Sequence, residues 1–298
     1  MKHLYIGILA VLMALSACSN SRDGLDLTAY NYNDTKNLVR FVHNAAQKIE
    51  KDGLAATEEY KSPKGINKDF NLYVYDMKGI NLFHAGTPEV QNKNLRNITD
   101  IAGKRVIDLV FEALSNPENP HGWVHYTWWE PGKFYPVPKS SCHFKVRMPD
   151  GREVFVGSGI NYPLEESEFA RIAVDSAVNL ITAKGSAALP VIENATSSYN
   201  FREVKVFAFR PDGRIVISPI LGDSLVSTNL LSCVDEAGTK PFEHALKQFG
   251  KQTAVWQIFM AKSRYERQLV KKTLYLRKTM LNDEPLFVGA VTDLPQTP

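Results

Sequence analysis

The sequence lacks several features that would place it in a particular class of protein. It has only three cysteines, and Cys142 and Cys233 lie in non-equivalent parts of the chain, so we expect both to be free and buried. The net charge of +3, with scattered Lys and Arg, gives no basis for a nucleic-acid partner. Beyond the N-terminal region no apolar run reaches the roughly 20 residues of a membrane span, so we expect neither a transmembrane receptor nor a cytoplasmic output domain.

Motifs of catalysis and cofactor binding are missing as well. There is no Gly-x-Ser-x-Gly nucleophile elbow, no Gly-x-Gly-x-x-Gly fingerprint and no His-Glu-x-x-His or Cys-x-x-Cys pair. His121 and His125 are four residues apart and His143 follows nearby, but a strand separates residues at this spacing by about 13 Å. We therefore expect no enzyme activity, no cofactor and no metal, and keep a metal-dependent enzyme as the weakest alternative.

The N-terminus carries an apolar run at residues 4–15, preceded by Lys2. A run this short predicts a signal peptide, here residues 1–18, rather than a spanning helix. Its end, Leu-Ser-Ala-Cys, resembles the lipobox of bacterial lipoproteins. That resemblance implies a lipidated, palmitate-bearing Cys18, and Ser19 after it implies the outer membrane facing the periplasm. The alternative is a plain secretory peptide with a chance cysteine. Residues 19–33 are polar and predict a tether.

The chain after the tether predicts a PAS-like α+β domain. Apolar residues at helical spacing predict a long helix capped near Asp34 or Thr35 and ended by Gly53. Further patterns predict a hairpin of two strands, a second helix with Ile101 on its apolar face, and three antiparallel strands. The predicted bounds are 70–76 and 80–84 for the hairpin strands, 100–115 for the helix, and 123–129, 141–148 and 153–160 for the three strands.

Spaced motifs in this region point to one family. Trp-Val-x-Tyr-x-Trp begins at residue 123, Pro-Lys stands at 138–139, and Val-Gly-Ser-Gly-Ile at 156–160 closes the third strand, with Asp-x-x-Gly upstream at 76–79. Together they resemble a single Cache domain, an extracytoplasmic PAS-like module that senses ligands. The resemblance covers about residues 33–163.

The second half of the chain repeats the first. Gly157 and Gly289, each preceded by Phe-Val, lie 132 positions apart, and other residues recur at the same offset. A repeat this long indicates two copies of one domain rather than a solenoid, whose period is roughly 20–50 residues. We therefore predict two tandem Cache-like domains, 34–163 and 164–298, with a boundary at 162–164. Because the linker is nearly absent, the two should pack rigidly.

Candidate ligand-binding residues lie in the first domain: Tyr75, His84, Tyr126, Trp128 and Lys139. Tyr126 and Trp128 share one face of a strand, where aromatic residues also commonly form core. A lysine at a strand entrance is ordinarily solvated, whereas the Cache resemblance implies that Lys139 faces the ligand. Beside His84 and Tyr126 it would hold a carboxylate through charge-assisted hydrogen bonds.

The second domain differs at the corresponding positions. At the 132 offset the aromatic pair becomes Ile258 and Met260, and the lysine is matched by Lys271. Counted from the turn glycines, the histidine becomes Ser218. These differences predict that the second domain is filled with aliphatic side chains. We expect it to serve as a scaffold or to dock a partner.

The leading hypothesis is a lipid-anchored protein of the cell envelope that binds a small organic ligand, a carboxylate or an amino acid. Its signal would pass to a partner such as a transmembrane sensor kinase or chemoreceptor. The alternative is a structural or assembly lipoprotein whose Cache pockets are vestigial.

Overall fold

The structure of the protein is a computed structural model. It describes residues 24–61, 70–117, 119–129, 134–161, 166–202, 204–218, 229–250, 252–262 and 268–294. The predicted lipidation site Cys18 and the predicted boundary at 162–164 lie outside the described residues. Within the described ranges, no helix has the length and apolar character needed to span a bilayer.

Within the described residues, the first half contains two helices and five strands, and the second half contains three helices and seven strands, two of which (Asn200–Phe201 and Val204–Lys205) form a small sheet of their own. The elements of the first half are α1 (Asn33–Asp52), β1 (Tyr73–Asp76), β2 (Asn81–His84), α2 (Val106–Ser115), β3 (Val124–Trp129), β4 (Pro136–Arg147) and β5 (Glu153–Asn161). Those of the second half are α3 (Glu166–Lys184), α4 (Leu189–Glu193), β6 (Asn200–Phe201), β7 (Val204–Lys205), β8 (Phe207–Phe209), β9 (Ile215–Ile217), α5 (Pro241–Gln248), β10 (Ala254–Lys262), β11 (Leu269–Leu281) and β12 (Glu284–Asp293).

Two five-stranded antiparallel sheets have the same strand order. The first runs β2-β1-β5-β4-β3, and the second, read from its other edge, runs β9-β8-β12-β11-β10. Helix α1 covers one face of the first sheet, where Val74 and Val156 are buried, and α2 lies over the other face with Tyr73 and Tyr75. This arrangement confirms the predicted α+β class, with a long helix, an antiparallel sheet and a flanking helix in each half.

Helix α1 forms because its apolar residues fall on one face. Leu38, Val42 and Ile49 are fully buried, and Gly53, with a φ of 65°, ends the helix in a conformation that favours glycine. The predicted cap at Asp34 or Thr35 is wrong, because the helix begins at Asn33 without a side-chain cap.

Helix α2 begins at Val106, six residues later than predicted. The carboxylate of Asp100 accepts hydrogen bonds from the backbone N–H groups of Ala102 (2.8 Å) and Lys104 (2.9 Å), and Gly103 has a φ of 81°. These bonds stabilise a turn in place of a helical start. Ile101 consequently points to solvent, 64% exposed, and does not belong to the buried helix face.

Strand β4 begins at Pro136, five residues before the predicted start. Pro136 and Pro138 pair with Trp129 and Thr127 of β3, whereas β5 first pairs with β4 at Lys139. The prolines therefore lie where β4 has a partner on one side only, and a missing N–H is tolerated there. Strands β1 and β2 are slightly shorter than predicted.

The two halves share one hydrophobic core. Phe169 of α3 contacts Trp123 of β3 at a ring-centroid distance of 4.8 Å, and the buried cluster around them contains residues from both sheets. Tyr30, from the segment predicted as a tether, is 3% exposed and accepts a hydrogen bond from Trp123 Nε1 (2.7 Å). That end of the segment packs onto the fold. Cys142 and Cys233 are buried, as predicted, and among the described residues neither forms a disulfide.

The pairing of the strands corrects the predicted offset between the halves. In the first half Tyr126 pairs with Lys139, and in the second Phe259 pairs with Lys272, which is an offset of 133. After the next turn the offset returns to 132, since Gly157 matches Gly289. The turn between β11 and β12 has two residues, one fewer than its counterpart at 149–151.

A slip of one residue in a strand moves each side chain to the opposite face. The predicted matches Lys271, Ile258 and Met260 are therefore wrong. The residues that correspond to Lys139, Tyr126 and Trp128 are instead Lys272, Phe259 and Ala261.

Candidate functional site

The first half encloses a cavity of about 340 Å³ between its sheet and α2. The structure brings all five predicted ligand-binding residues into its wall, namely Tyr75, His84, Tyr126, Trp128 and Lys139. Tyr73, His143, Phe155 and Asn161 line it as well, together with apolar residues of α2. Ligand binding by these residues stays a prediction, but their common location follows from strands β1 to β5 presenting alternate residues to one side.

Aromatic rings form much of the cavity wall. Tyr75 stacks on Phe155 with centroids 5.1 Å apart, and Tyr126 meets Trp128 edge to face at 6.0 Å. Burial raises the pKa of Tyr75 above its ordinary value, so its hydroxyl keeps its proton and can donate a hydrogen bond. The walls are thus apolar with a few hydroxyl groups, as is usual for small-molecule sites.

Tyr73 and His143 form a buried polar pair that the sequence reasoning missed. His143 Nδ1 lies 2.7 Å from the carbonyl oxygen of Gly122, which cannot donate, so this nitrogen carries the proton. Nε2 then accepts from Tyr73 Oη at 2.9 Å. Burial lowers the pKa of His143 to about 4, which keeps the ring neutral. The sequence did contain one signal for His143. It lies four residues after Lys139, and residues four apart on a strand share a face.

His84 is positioned by its own loop. The backbone N–H of Thr87 donates to His84 Nδ1 (2.9 Å), so a neutral ring carries its proton on Nε2. The ring stacks on Tyr73 at 5.7 Å. Burial, and secondarily the charge of Lys139, lower the pKa of His84 to about 4. His84 is therefore a neutral hydrogen-bond donor near pH 7.

Lys139 gives the cavity its charge. It lies across from Tyr126 on β3 and from Asn161 on β5. Among the described residues no carboxylate forms an ion pair with Lys139, and the described lining contains no acidic side chain. With both histidines of the wall neutral, the site carries one positive charge and favours an anion.

Two glycines of β5 make room for these polar groups. A Cβ at position 157 would lie 2.5 Å from ring carbons of Tyr73 and His143, and one at position 159 would lie 2.9 Å from Lys139 Cε. Real Cβ atoms do not approach so closely. The two glycines therefore leave space over β5 for the side chains of Tyr73, His143 and Lys139.

The corresponding region of the second half is filled. Phe207 and Leu276 replace Tyr73 and His143, and Phe209 replaces Tyr75. Phe242 of α5 packs against both new phenylalanines, at 6.0 and 5.9 Å. The filling is largely aromatic, not aliphatic as predicted. Lys272, at the position of Lys139, is 6% exposed and forms an ion pair with Asp293, which stands where the first half has Asn161.

The histidines considered as metal ligands do not converge. His121 Nδ1 bonds to Tyr30 Oη (2.7 Å), His125 Nδ1 bonds to Ser140 Oγ (2.8 Å), and His143 faces the cavity. Across the ranges listed above, no group of three His, Cys, Asp or Glu side chains could hold a metal ion.

A second cavity of about 250 Å³ lies between the halves. Lys104, 4% exposed, donates to the carbonyl oxygens of His125 (3.2 Å) and Asn200, and so bridges β3 to the second half. Burial lowers the pKa of Lys104 to about 8. Tyr126 lines both this cavity and the first one.

Comparison with known proteins identifies the fold of the first half. Residues 29–161 match the family model of Single Cache domain 2. The chain is similar to a methyl-accepting chemotaxis protein from Vibrio parahaemolyticus, with 24% identity over 43% of this chain and 88% of that one, and a TM-score of 0.35. No curated protein matches the chain.

Other solved structures resemble the chain at similar levels. A Cache chemosensory domain from a study of carboxylic acid recognition is 22% identical over 44% of this chain and 94% of that one, with a TM-score of 0.34. The ligand-binding domain of the Pseudomonas aeruginosa amino acid chemoreceptor PctB, in complex with L-Arg, is 11% identical over 88% of each chain, with a TM-score of 0.30.

Proposed function

We propose that the cavity of the Cache domain at residues 29–161 binds a small carboxylate, either a short organic acid or an amino acid. The observation that carries this proposal is Lys139, a cation without a carboxylate partner among the described residues, in a wall of aromatic rings. A ligand carboxylate would accept from its ammonium group, and from His84 Nε2 and a tyrosine hydroxyl. Each charge-assisted bond contributes roughly 1.5–3 kcal/mol, so two or three suffice for selective binding.

The second half supports this choice of ligand. There the chain supplies its own carboxylate, Asp293, to the lysine that corresponds to Lys139. The same position in the first half is Asn161, which leaves the lysine for a carboxylate from outside.

The protein would act at the cell envelope through a partner. The lipobox-like end of the signal sequence supports a lipid anchor on Cys18, at an outer membrane facing the periplasm. The second half would be a second Cache-like domain, 164–298, that serves as a scaffold, since it repeats the strand order of the first. A transmembrane sensor kinase or chemoreceptor would receive the signal.

The first test is ligand binding to the mature protein without its lipid. A panel of organic acids and amino acids should contain at least one compound that raises the melting temperature. A ligand at 100 times its Kd adds about 2.7 kcal/mol of stability. No stabilisation across the panel would favour the alternative function, a structural or assembly lipoprotein whose Cache pockets are vestigial.

Lys139→Ala should weaken the best ligand about 10- to 150-fold, because it removes one charge-assisted bond of roughly 1.5–3 kcal/mol. Calorimetry on folded protein measures the change. Lys271→Ala is the matched control, since Lys271 is an exposed lysine near the start of the equivalent strand and faces away from the filled site. Equal losses in the two variants would show that the cavity is not the binding site.

Cys18→Ser should abolish lipid attachment, since the thioether requires a sulfur nucleophile. We expect unprocessed precursor, or protein that no longer fractionates with outer membranes, in radiolabelled palmitate and fractionation assays. Mature, membrane-bound Cys18→Ser protein would contradict the lipobox interpretation while leaving ligand binding unaffected.

A further inference from the structure

The second sheet exposes an apolar surface at its edge, which we call the outer strip. It consists of Trp256, Ile258 and Met260 on β10 and Leu269 on β11. Trp256, Ile258 and Leu269 are 44%, 57% and 53% exposed, respectively. The cross-strand pairs place all four side chains on one face of the sheet. Contiguous apolar side chains of this size on a surface commonly mark an interaction site.

The first half shows what covers this face of the fold. At the 133 offset, Trp256 and Ile258 correspond to Trp123 and His125, which are 1% and 6% exposed. Phe169 of α3 lies 4.8 Å from the ring of Trp123 and 4.7 Å from that of His125. In the second half, helix α3 packs on β11 and β12, but none of the described residues covers the edge strand β10 as Phe169 covers β3 in the first half.

The charges around the outer strip define the helix that would fit it. Lys262 and Lys271 are exposed on the same face as the strip, and Lys262 also lies 3.9 Å from the carboxylate of Glu236. A helix with an aromatic or aliphatic face and an acidic edge would complement both the strip and its lysines.

A second copy of this chain does not supply such a helix through α1. Measured back from the glycines that end the two long helices, Phe169 and Ile172 of α3 correspond to Asn37 and Arg40 of α1. Both are exposed, and neither is apolar. Arg40 would also repel the lysines beside the strip.

We propose that the outer strip binds an amphipathic, acidic-edged α-helix of a partner protein. This inference assigns a binding surface to the partner of the proposed function, and it rests on that function for the existence of a partner in the cell envelope. The cavity and the outer strip belong to different halves. Either proposal can therefore fail without the other.

The test is photo-crosslinking in the native envelope with the full-length lipoprotein. One variant carries p-benzoylphenylalanine in place of Ile258. The control carries it in place of Lys278, which is exposed on the neighbouring strand but faces the other side of the sheet. We expect an adduct from the Ile258 position at least about tenfold more abundant than from the Lys278 position. Mass spectrometry should place the crosslink in an acidic amphipathic helix of another protein.

Several outcomes would overturn the proposal. These are adducts with lipid, adducts with a second copy of this chain, equal yields at both positions, or no adduct. Thermal unfolding of both labelled proteins checks their folding. Leu269 provides a second labelling position if the Ile258 variant does not fold, and the same expectations apply to it.

Discussion

Single residues account for the chemical difference between the cavity of the first half and the filled region of the second. Tyr73 and His143 place a hydroxyl and an imidazole in the cavity, and Phe207 and Leu276 place only carbon at the corresponding positions. None of these exchanges alters the strand order. Chemistry on this fold is therefore set by side chains, while the backbone supplies their positions.

Gly157 is the residue on which the polar pair depends most directly. Gly157→Ala should lower the free energy of unfolding by about 1–3 kcal/mol, because the added methyl group would overlap Tyr73 and His143. Urea denaturation measures the loss. Gly250→Ala is the control: a Cβ there meets nothing within 4 Å, so its effect should stay below about 0.5 kcal/mol. Similar values for both variants would mean that the pair moves aside at no cost.

At the scale of elements, the turns between long strands set the register. The three-residue turn at 149–151 has Gly151 at a φ of 85°, and the two-residue turn after β11 has positive φ at both Asn282 and Asp283. A two-residue turn with this conformation matches the twist of the strands and favours Asn-Gly. In the second turn Asn282 is the favoured residue at its position, whereas Asp283 is strained where glycine is favoured.

Asp283→Gly should raise the free energy of unfolding by about 0.5–1 kcal/mol, because glycine adopts the φ of 62° at position 283 without strain. A rise in melting temperature measures this gain. Asp150→Gly, in the other turn, should be destabilising instead, since the Asp150 side chain accepts from the backbone N–H of Arg152. A loss of stability in Asp283→Gly would contradict the assigned turn conformation.

Most elements could be predicted from periodicity, but their ends and register could not. The spacing of Leu38, Val42 and Ile49 was enough for α1. The start of α2 depended on side-chain bonds of Asp100, which compete with a helix and leave no periodic signal. The predicted offset of 132 failed on the two strands before the turn, because the turn between β11 and β12 is one residue shorter and every match before it therefore falls on the opposite face.

The site was predictable to the extent that a family motif marked it. Tyr126, Trp128 and Lys139 stand in such a motif, and the structure places them in one cavity wall. The pair of Tyr73 and His143 could not be found in this way, because its members are 70 residues apart and meet only across the assembled sheet.

At the scale of the whole molecule, buried histidines concentrate in the first half. Burial is the main cause that lowers the pKa of His84, His121 and His143 to about 4, and it lowers that of His125 well below its ordinary value. Their folded-state pKa values lie below the ordinary value of about 6.5, so the unfolded chain binds more protons between these limits. The folded state is therefore disfavoured as the pH falls.

Stability should consequently be unaffected by these groups above pH 6.5 or so, and should decline as the pH falls from about 6.5 to about 4. Each histidine contributes a slope of about 1.4 kcal/mol per pH unit. Urea denaturation across this range measures the slope. His121→Asn should reduce the slope by the contribution of one histidine, because it removes one titrating ring. Asparagine is chosen because it tolerates the φ of 62° at that position. A flat profile between pH 6.5 and 5 would show that these rings are hydrated.

Helix α3 is buried on more than one side, since it packs on β11 and β12 and also places Phe169 against Trp123. A helix held this way cannot leave one sheet without uncovering the other. Its amide hydrogens should therefore exchange with solvent only when the whole chain opens. The two sheets, although built to the same plan, would then melt in a single calorimetric transition, and cutting the chain between them would leave neither piece with a complete interior.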